Sequence, residues 1–310
     1  MLELLIVVLP VFLIVSAGYL AVWRGAFSMD GSEALMVFAQ RFAIPCLLFL
    51  AIARLDIATL FNWKLLLSFY AGTISCFTVS ALMAYFLFNR KGPAAVTVGF
   101  SATFANAVLL GLPITERAFG EAALAGNFTI IAFHAPICYF IGITVMESVL
   151  ASGKSRVETA MQILKAMFSN PLMIGICMGV IVNLTQIPLP EFVVAPLEFM
   201  SRAALAVALF ALGGVLVKFE LSERWVEIGM VTGLRLVWHP LVAYGLSVWV
   251  FDLPIDLVRG VVITAAMAPG VNSYVFASMY DRGKGTAAST ILIATALSVL
   301  TVSVWLYILA

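Results

Sequence analysis

Two stretches of this sequence combine helix-breaking residues with carboxamides. The first reads Phe104-Ala-Asn106-Ala-Val-Leu-Leu-Gly111-Leu-Pro113, the second Ala266-Met-Ala-Pro269-Gly270-Val-Asn272-Ser273-Tyr274. Pro removes a backbone donor and Gly loosens a helix, so a helix passing through either stretch leaves backbone groups without internal partners. Such groups are tolerated in apolar surroundings only where protein, water or a ligand satisfies them. A half-helix N-terminus presents N–H groups and a positive dipole end, which suits a carboxylate. Asn106 and Asn272 add amide donors and acceptors beside these breaks. The alternative is that Pro and Gly only kink packed helices while the Asn side chains hydrogen-bond between them.

Cationic residues inside apolar segments form the second group. Arg235 lies about 15 Å of helix rise beyond Arg224. His239 follows one turn later on the same face, just before Pro240. An anion contact or a proton-linked role fits this pair, and so does a satisfied structural pair. His134, before Pro136, is a further candidate of the same kind. Arg41 and Arg202 read instead as side chains that snorkel to an interface. Glu3, Glu33, Glu116, Glu147 and Glu198 all fall near segment ends, so no carboxylate-centred ion site is evident. A coupling ion, H+ or Na+, would have to use backbone carbonyls, a histidine or the substrate's own charge. No phosphate-cradling loop, nucleophile motif or metal spacing occurs, and Cys46, Cys76, Cys138 and Cys177 lie singly on separate apolar segments as inert thiols. No cofactor is implied.

The elements that must position these residues are set by composition. The 310 residues are 63% hydrophobic and 11% charged, with a mean hydropathy of +1.11. A soluble domain carries about 25% charged residues. So few charges cannot cover a globular surface, which excludes a soluble enzyme and a disordered chain. A net charge of +1 gives no basic face for nucleic acid. The partner is the lipid bilayer. Met1-Leu2-Glu3 lacks a positive n-region and the run from Leu4 to Val22 is long enough to span, so the N-terminus reads as a span, not a cleaved signal.

Ten spans are expected, near 3–22, 34–53, 65–88, 94–114, 125–147, 170–186, 192–217, 225–250, 257–279 and 286–309. Loops after odd-numbered spans hold Arg24, Arg90, Lys91, Lys154, Arg156, Lys165, Lys218, Arg224, Arg282 and Lys284, against Arg54, Lys64, Arg117 and Arg259 elsewhere. The odd loops are therefore cytoplasmic and both termini periplasmic or extracellular. A shift of 161 positions aligns Pro10 with Pro171, Gly18 with Gly179, Arg41 with Arg202, Gly72 with Gly233, Pro93 with Pro254, Gly99 with Gly260 and Thr103 with Thr264. Two halves follow, 1–149 and 162–310, joined by a polar cytoplasmic linker at 150–161 with an amphipathic stretch from Thr159 to Ser169. Five spans per half, an odd number, inverts the second half relative to the first, an arrangement common among secondary transporters.

The chain resembles the auxin efflux carrier family, which includes plant PIN auxin exporters and bacterial malonate and malate permeases. The resemblance is carried by Phe42-Ala-Ile-Pro45-Cys-Leu-Leu-Phe49, Asn106-Ala-Val-Leu-Leu-Gly111-Leu-Pro113, Asn170-Pro171, Leu209-Phe-Ala-Leu-Gly213 and Pro269-Gly270-Val-Asn272-Ser273-Tyr274-Val-Phe-Ala277. It implies an all-α membrane protein of ten helices in two inverted repeats, similar to the bile-acid symporter and sodium/proton antiporter fold. Helices one, two, six and seven would form a scaffold. Helices three to five and eight to ten would form a transport domain whose fourth and ninth helices break and cross. The implied substrate site is Asn106, Gly111, Pro269, Gly270, Asn272 and Ser273. Ala105 stands where PIN proteins have Pro, and their second crossover Pro aligns with Ala268, one position before Pro269.

The resulting expectation is a secondary carrier in the bacterial inner membrane, moving a small organic anion, a dicarboxylate such as malonate or malate, by an elevator-type mechanism. Export of auxin-like or other amphipathic monocarboxylates is the alternative. An anion channel or non-transporting sensor is the alternative of another class. The resemblance also implies a homodimer, with which close helix approach at Gly175 and Gly179 is compatible.

Overall fold

The computed structural model describes residues 2–55, 62–150, 155, 157–158, 161, 171–219 and 222–310, with side chains from Val8 onward. Among these residues the regular elements are helices: α1 (Leu2–Trp23), α2 (Met29–Phe38), α3 (Ile44–Arg54), α4 (Trp63–Leu87), α5 (Pro93–Ser101), α6 (Leu112–Phe119), α7 (Leu124–Leu150), α8 (Pro171–Thr185), α9 (Glu191–Leu216), α10 (Trp225–Gly233), α11 (His239–Gly245), α12 (Ile255–Ala265), α13 (Asn272–Met279) and α14 (Lys284–Leu309). Five helical stretches are long and apolar enough to cross a membrane: Met29–Arg54, α4, Glu121–Leu150, α9 and α14. Of the other expected spans, 3–22 falls on the 22-residue α1, and the rest are occupied by shorter or interrupted helices. Most of the linker at 150–161 and of the stretch to Ser169, including Lys154, Arg156 and Lys165, lies outside the described residues.

Three of the interruptions share a physical cause. Wide π turns at Ala39–Ala43, Ala107–Gly111 and Leu234–Trp238 each end two residues before a proline, namely Pro45, Pro113 and Pro240. A proline ring collides with the carbonyl four residues earlier and offers it no N–H. A π turn widens the helix at that point and lets the chain continue.

The chain divides into two compact units. One comprises Leu9–Asn62 and Ala166–Lys218, the other Met1–Val8, Trp63–Lys165 and Phe219–Ala310. In the first unit α8 packs against α3 so closely that a Cβ at Gly175 or Gly179 would collide with Pro45 or with Phe49 and Ile52. The near approach these glycines permit is thus used inside one chain. Asn183 of α8 then caps the end of α3, its Nδ2 donating to the carbonyls of Ile52 (2.8 Å) and Leu55 (2.6 Å). Arg41 is exposed, and Arg202 is exposed beside Glu198 and the Phe199 ring.

The second unit carries the candidate site. At one end Arg90 makes a two-pronged bridge to Glu227 (2.9 and 3.1 Å), and Thr286 donates to the same carboxylate at 2.7 Å. Glu227 is only 2% exposed, so this bridge ties the end of α4 to α10 and α14 where water competes little. Cys76 and Cys138 are buried and Cys46 and Cys177 half-buried, all of them free thiols.

Candidate functional site

Both helix-breaking stretches are broken in the structure. Helix α5 ends at Ser101 and helicity resumes at Ala107; α12 ends at Ala265 and α13 begins at Asn272. Pro269 disfavours helix in the residue before it, which explains the second break. Between the breaks the two segments meet as a single antiparallel bridge centred on Ala105 and Pro269. Asn106 N–H donates to the Ala268 carbonyl at 2.9 Å, and Gly270 N–H donates to the Phe104 carbonyl at 2.8 Å. In such a pairing the two central residues exchange no hydrogen bond with each other. Pro269 therefore occupies the one position where its missing N–H costs the pairing nothing.

Ala105 and the Pro269 it faces are 164 positions apart, so the bridge joins residues that the 161-position alignment does not pair. Helix α12 has 11 residues and α5 has 9. The glycines at the breaks are not required by close packing. A Cβ at Gly111 or Gly270 would make only ordinary contacts, none nearer than 3.4 Å. Their part is to loosen the backbone.

Around the crossing the polar groups fall into satisfied and unsatisfied sets. Asn106 caps the π turn through its backbone carbonyl, which accepts from Leu110 (3.3 Å) and Gly111 (3.2 Å). Its carboxamide, in a residue 6% exposed, forms no hydrogen bond among the described residues. Asn272 opens α13 and its Oδ1 accepts from the Tyr139 hydroxyl at 3.4 Å. Ser273, one residue on, has a buried hydroxyl with no partner. Thr103 and Thr264 turn their hydroxyls back on the carbonyls of Gly99 (2.9 Å) and Gly260 (2.7 Å).

Arg235 is completely buried. Its Nε donates to the Met267 carbonyl at 2.9 Å and its Nη2 lies 3.5 Å from the Thr264 carbonyl. Its Nη1 reaches His239 Nδ1. The guanidinium thus caps the C-terminal end of α12 and the first unwound residues after it, where free carbonyls concentrate negative potential. No ion pair to Arg235 is formed among the described residues. The remaining His239 nitrogen, Nε2, meets the Phe69 carbonyl (3.0 Å) and Thr73 Oγ1 (3.2 Å). A Cβ at Gly72 would strike this imidazole, so only glycine lets α4 lie so near.

His134 stands apart from that pair. Its Nε2 accepts the Ala105 N–H at 2.9 Å, and its ring lies among Phe104 (centroids 4.7 Å apart), Phe69 (5.6 Å) and Tyr70 (6.3 Å). Sequence reasoning overlooked its helix neighbours. Asn127, also on α7, donates to Thr115 (3.1 Å) and Thr264 (2.8 Å) and leaves its own Oδ1 buried without a partner. Tyr139 packs against Phe100 and Phe104, and Phe100 stacks on Phe276 at 3.8 Å. The spacing of 127, 134 and 138–139 along one helix face was the available signal.

Residues 4–306 match the family described as "Membrane transport protein". The chain is 26% identical over 310 residues to the "Putative malonate transporter" of Rhizobium meliloti, covering 100% of this chain and 97% of that protein. It is 25% identical to the "Uncharacterized transporter YfdV" of Escherichia coli K12, covering 97% of this chain and 96% of the relative. Auxin efflux carrier component 5 of Arabidopsis thaliana is 22% identical, with 87% and 86% covered.

Proposed function

Because this chain belongs to the membrane transport protein family, which takes in the auxin efflux carriers, we propose that it is a secondary carrier of a small organic anion. Its activity is transport and not enzymatic chemistry. A dicarboxylate such as malonate or malate is the first choice of substrate, moved by an elevator-type alternation of access. The name borne by the Rhizobium relative supports malonate.

The observation that carries the site assignment is the pair of unpartnered polar side chains at the crossing. The Asn106 carboxamide and the Ser273 hydroxyl sit at the starts of the two resumed helices, where N–H groups and the positive dipole ends favour a carboxylate. Tyr139 fixes Asn272 Oδ1 as an acceptor, which leaves the Asn272 amide protons free to donate.

Uptake of radiolabelled malonate into proteoliposomes, with proton, sodium and voltage gradients imposed separately, is the direct test. Saturable uptake driven by one gradient establishes carrier, substrate class and coupling together. Asn106→Ala should abolish that uptake with folding intact, and unchanged uptake refutes the site. Ser273→Ala is sharper still: a hydroxyl with no partner contributes no stability, so this variant should melt no earlier than the parent while its KM rises.

A second reading, transport of an aromatic monocarboxylate, is favoured by the rings of Phe100, Phe104, Tyr139 and Phe276 beside Asn272. Inhibition of malonate uptake by indole acids, or uptake of such acids in its place, selects it.

A further inference from the structure

We infer that His134 is a positioning residue for the crossing: a neutral imidazole, protonated on Nδ1, whose Nε2 holds the backbone amide of Ala105. This rests on the carrier reading above for its consequence in transport, but not for its geometry.

The crossing explains why such a residue is needed. Its two ladder bonds engage the Asn106 and Gly270 amides and the Phe104 and Ala268 carbonyls. The Ala105 amide, in the middle of the pairing, points away from the partner segment and receives nothing from it. Ala105 is buried, so water does not serve this donor, and a buried amide without an acceptor is costly. His134 Nε2 at 2.9 Å is the acceptor.

That contact fixes the chemistry of the ring. A ring nitrogen that accepts an N–H carries no proton itself. His134 is therefore neutral with its proton on Nδ1, which faces Cys138 Sγ one turn on at 3.6 Å. Cys138 Sγ lies almost as near Nε2, at 3.9 Å, so the thiol packs beside the ring, and the nitrogen turned to the crossing is the one already engaged by Ala105. Phe104, Phe69 and Tyr70 fix the ring plane, and the Tyr70 hydroxyl is itself held by the Ile130 carbonyl at 3.1 Å. His239 has the opposite arrangement. Its Nδ1 receives from Arg235, so its Nε2 carries the proton and donates to the Phe69 carbonyl. The two histidines pack on the same phenyl ring, Phe69, as opposite tautomers.

The test exploits side-chain length. A glutamine oxygen reaches the place of Nε2, whereas an asparagine oxygen overlies Nδ1 and falls short of Ala105. His134→Gln should keep malonate uptake, and His134→Asn should lower its maximal rate at least about fivefold, the low end of the cost of an unanswered buried amide, at equal membrane abundance. Equal uptake by the two variants overturns the assignment. Nitrogen NMR of the histidine-labelled parent protein in nanodiscs supplies a readout independent of transport, with His134→Gln and His239→Gln assigning the signals. It should show His134 protonated on Nδ1 and His239 on Nε2. A His134 signal from the Nε2-protonated or the doubly protonated ring overturns the assignment, whatever uptake does. The expected tautomers in a protein that moves no organic anion support the hydrogen bond and refute the carrier reading instead.

Discussion

The cap provided by Arg235 makes an unusual prediction about a conservative change. The guanidinium is fully buried and serves the Met267 and Thr264 carbonyls and His239 Nδ1 at once. In Arg235→Met the Met267 carbonyl and the imidazole nitrogen both lose their donor. Each buried orphan costs about 1–3 kcal/mol, so about 2–6 kcal/mol together. Removing a buried charge that has no carboxylate beside it among the described residues returns several kcal/mol of desolvation. The two effects largely cancel. Arg235→Lys keeps the charge and its desolvation, yet a single ammonium cannot reproduce the planar fork that spans α12 and His239. At least one acceptor is orphaned with no relief, a loss of about 1–3 kcal/mol or roughly 5- to 150-fold. The lysine variant should therefore melt at or below the methionine variant in detergent, and both should transport poorly in proteoliposomes. Were Arg235 an anion contact, lysine would preserve uptake and methionine would abolish it. A lysine variant with parental melting and parental uptake refutes the capping argument.

Two other perturbations follow from the same geometry. Arg90→Ala strands the Glu227 carboxylate with Thr286 alone and should lower stability by about 3–5 kcal/mol, as breaking a buried pair does; thermal unfolding checks this, and a melt unchanged from the parent refutes it. Gly72→Ala drives a methyl into the His239 imidazole, so overpacking of about 1–3 kcal/mol should depress uptake, while Gly111→Ala, where the added methyl meets only ordinary contacts, should melt like the parent.

The breaks were legible because their causes are local. Pro269 and Gly270 act on the chain within a few residues, and the crossing forms at them. The meeting of Arg235 with His239 was legible for a similar reason, since residues four apart share a helix face. What those side chains touch was not. Whether a buried arginine faces a substrate or a row of carbonyls depends on where α12 unwinds beside it, a tertiary relation that matched glycines and prolines could not reveal. Glu227 escaped notice because a carboxylate near a segment end resembles an interface residue, and only its bridge to Arg90 shows why it is buried. The π turns ahead of Pro45, Pro113 and Pro240, which absorb the missing hydrogen bonds with helix on both sides, were not anticipated from the prolines alone.

The distribution of partners around the crossing bears on where an anion would sit. Breaking two helices inside an apolar protein exposes amides and carbonyls that must be answered. The segments answer some of them for each other, Arg235 answers the carbonyls after α12, and His134 answers the last inward amide of the first segment. All of those partners are engaged by the fold itself, and a substrate that displaced one would have to replace what it removed. The Ser273 hydroxyl, buried without a partner, and the Asn106 carboxamide, which makes no side-chain cap bond, are different. Binding is cheapest where polar groups are already desolvated and still unpaired, since the ligand then gains the interaction without breaking another. By that criterion a substrate carboxylate would belong at the starts of the resumed helices and not at the cationic pair, although among the described residues Arg235 brings a formal positive charge onto the unwound segment after α12.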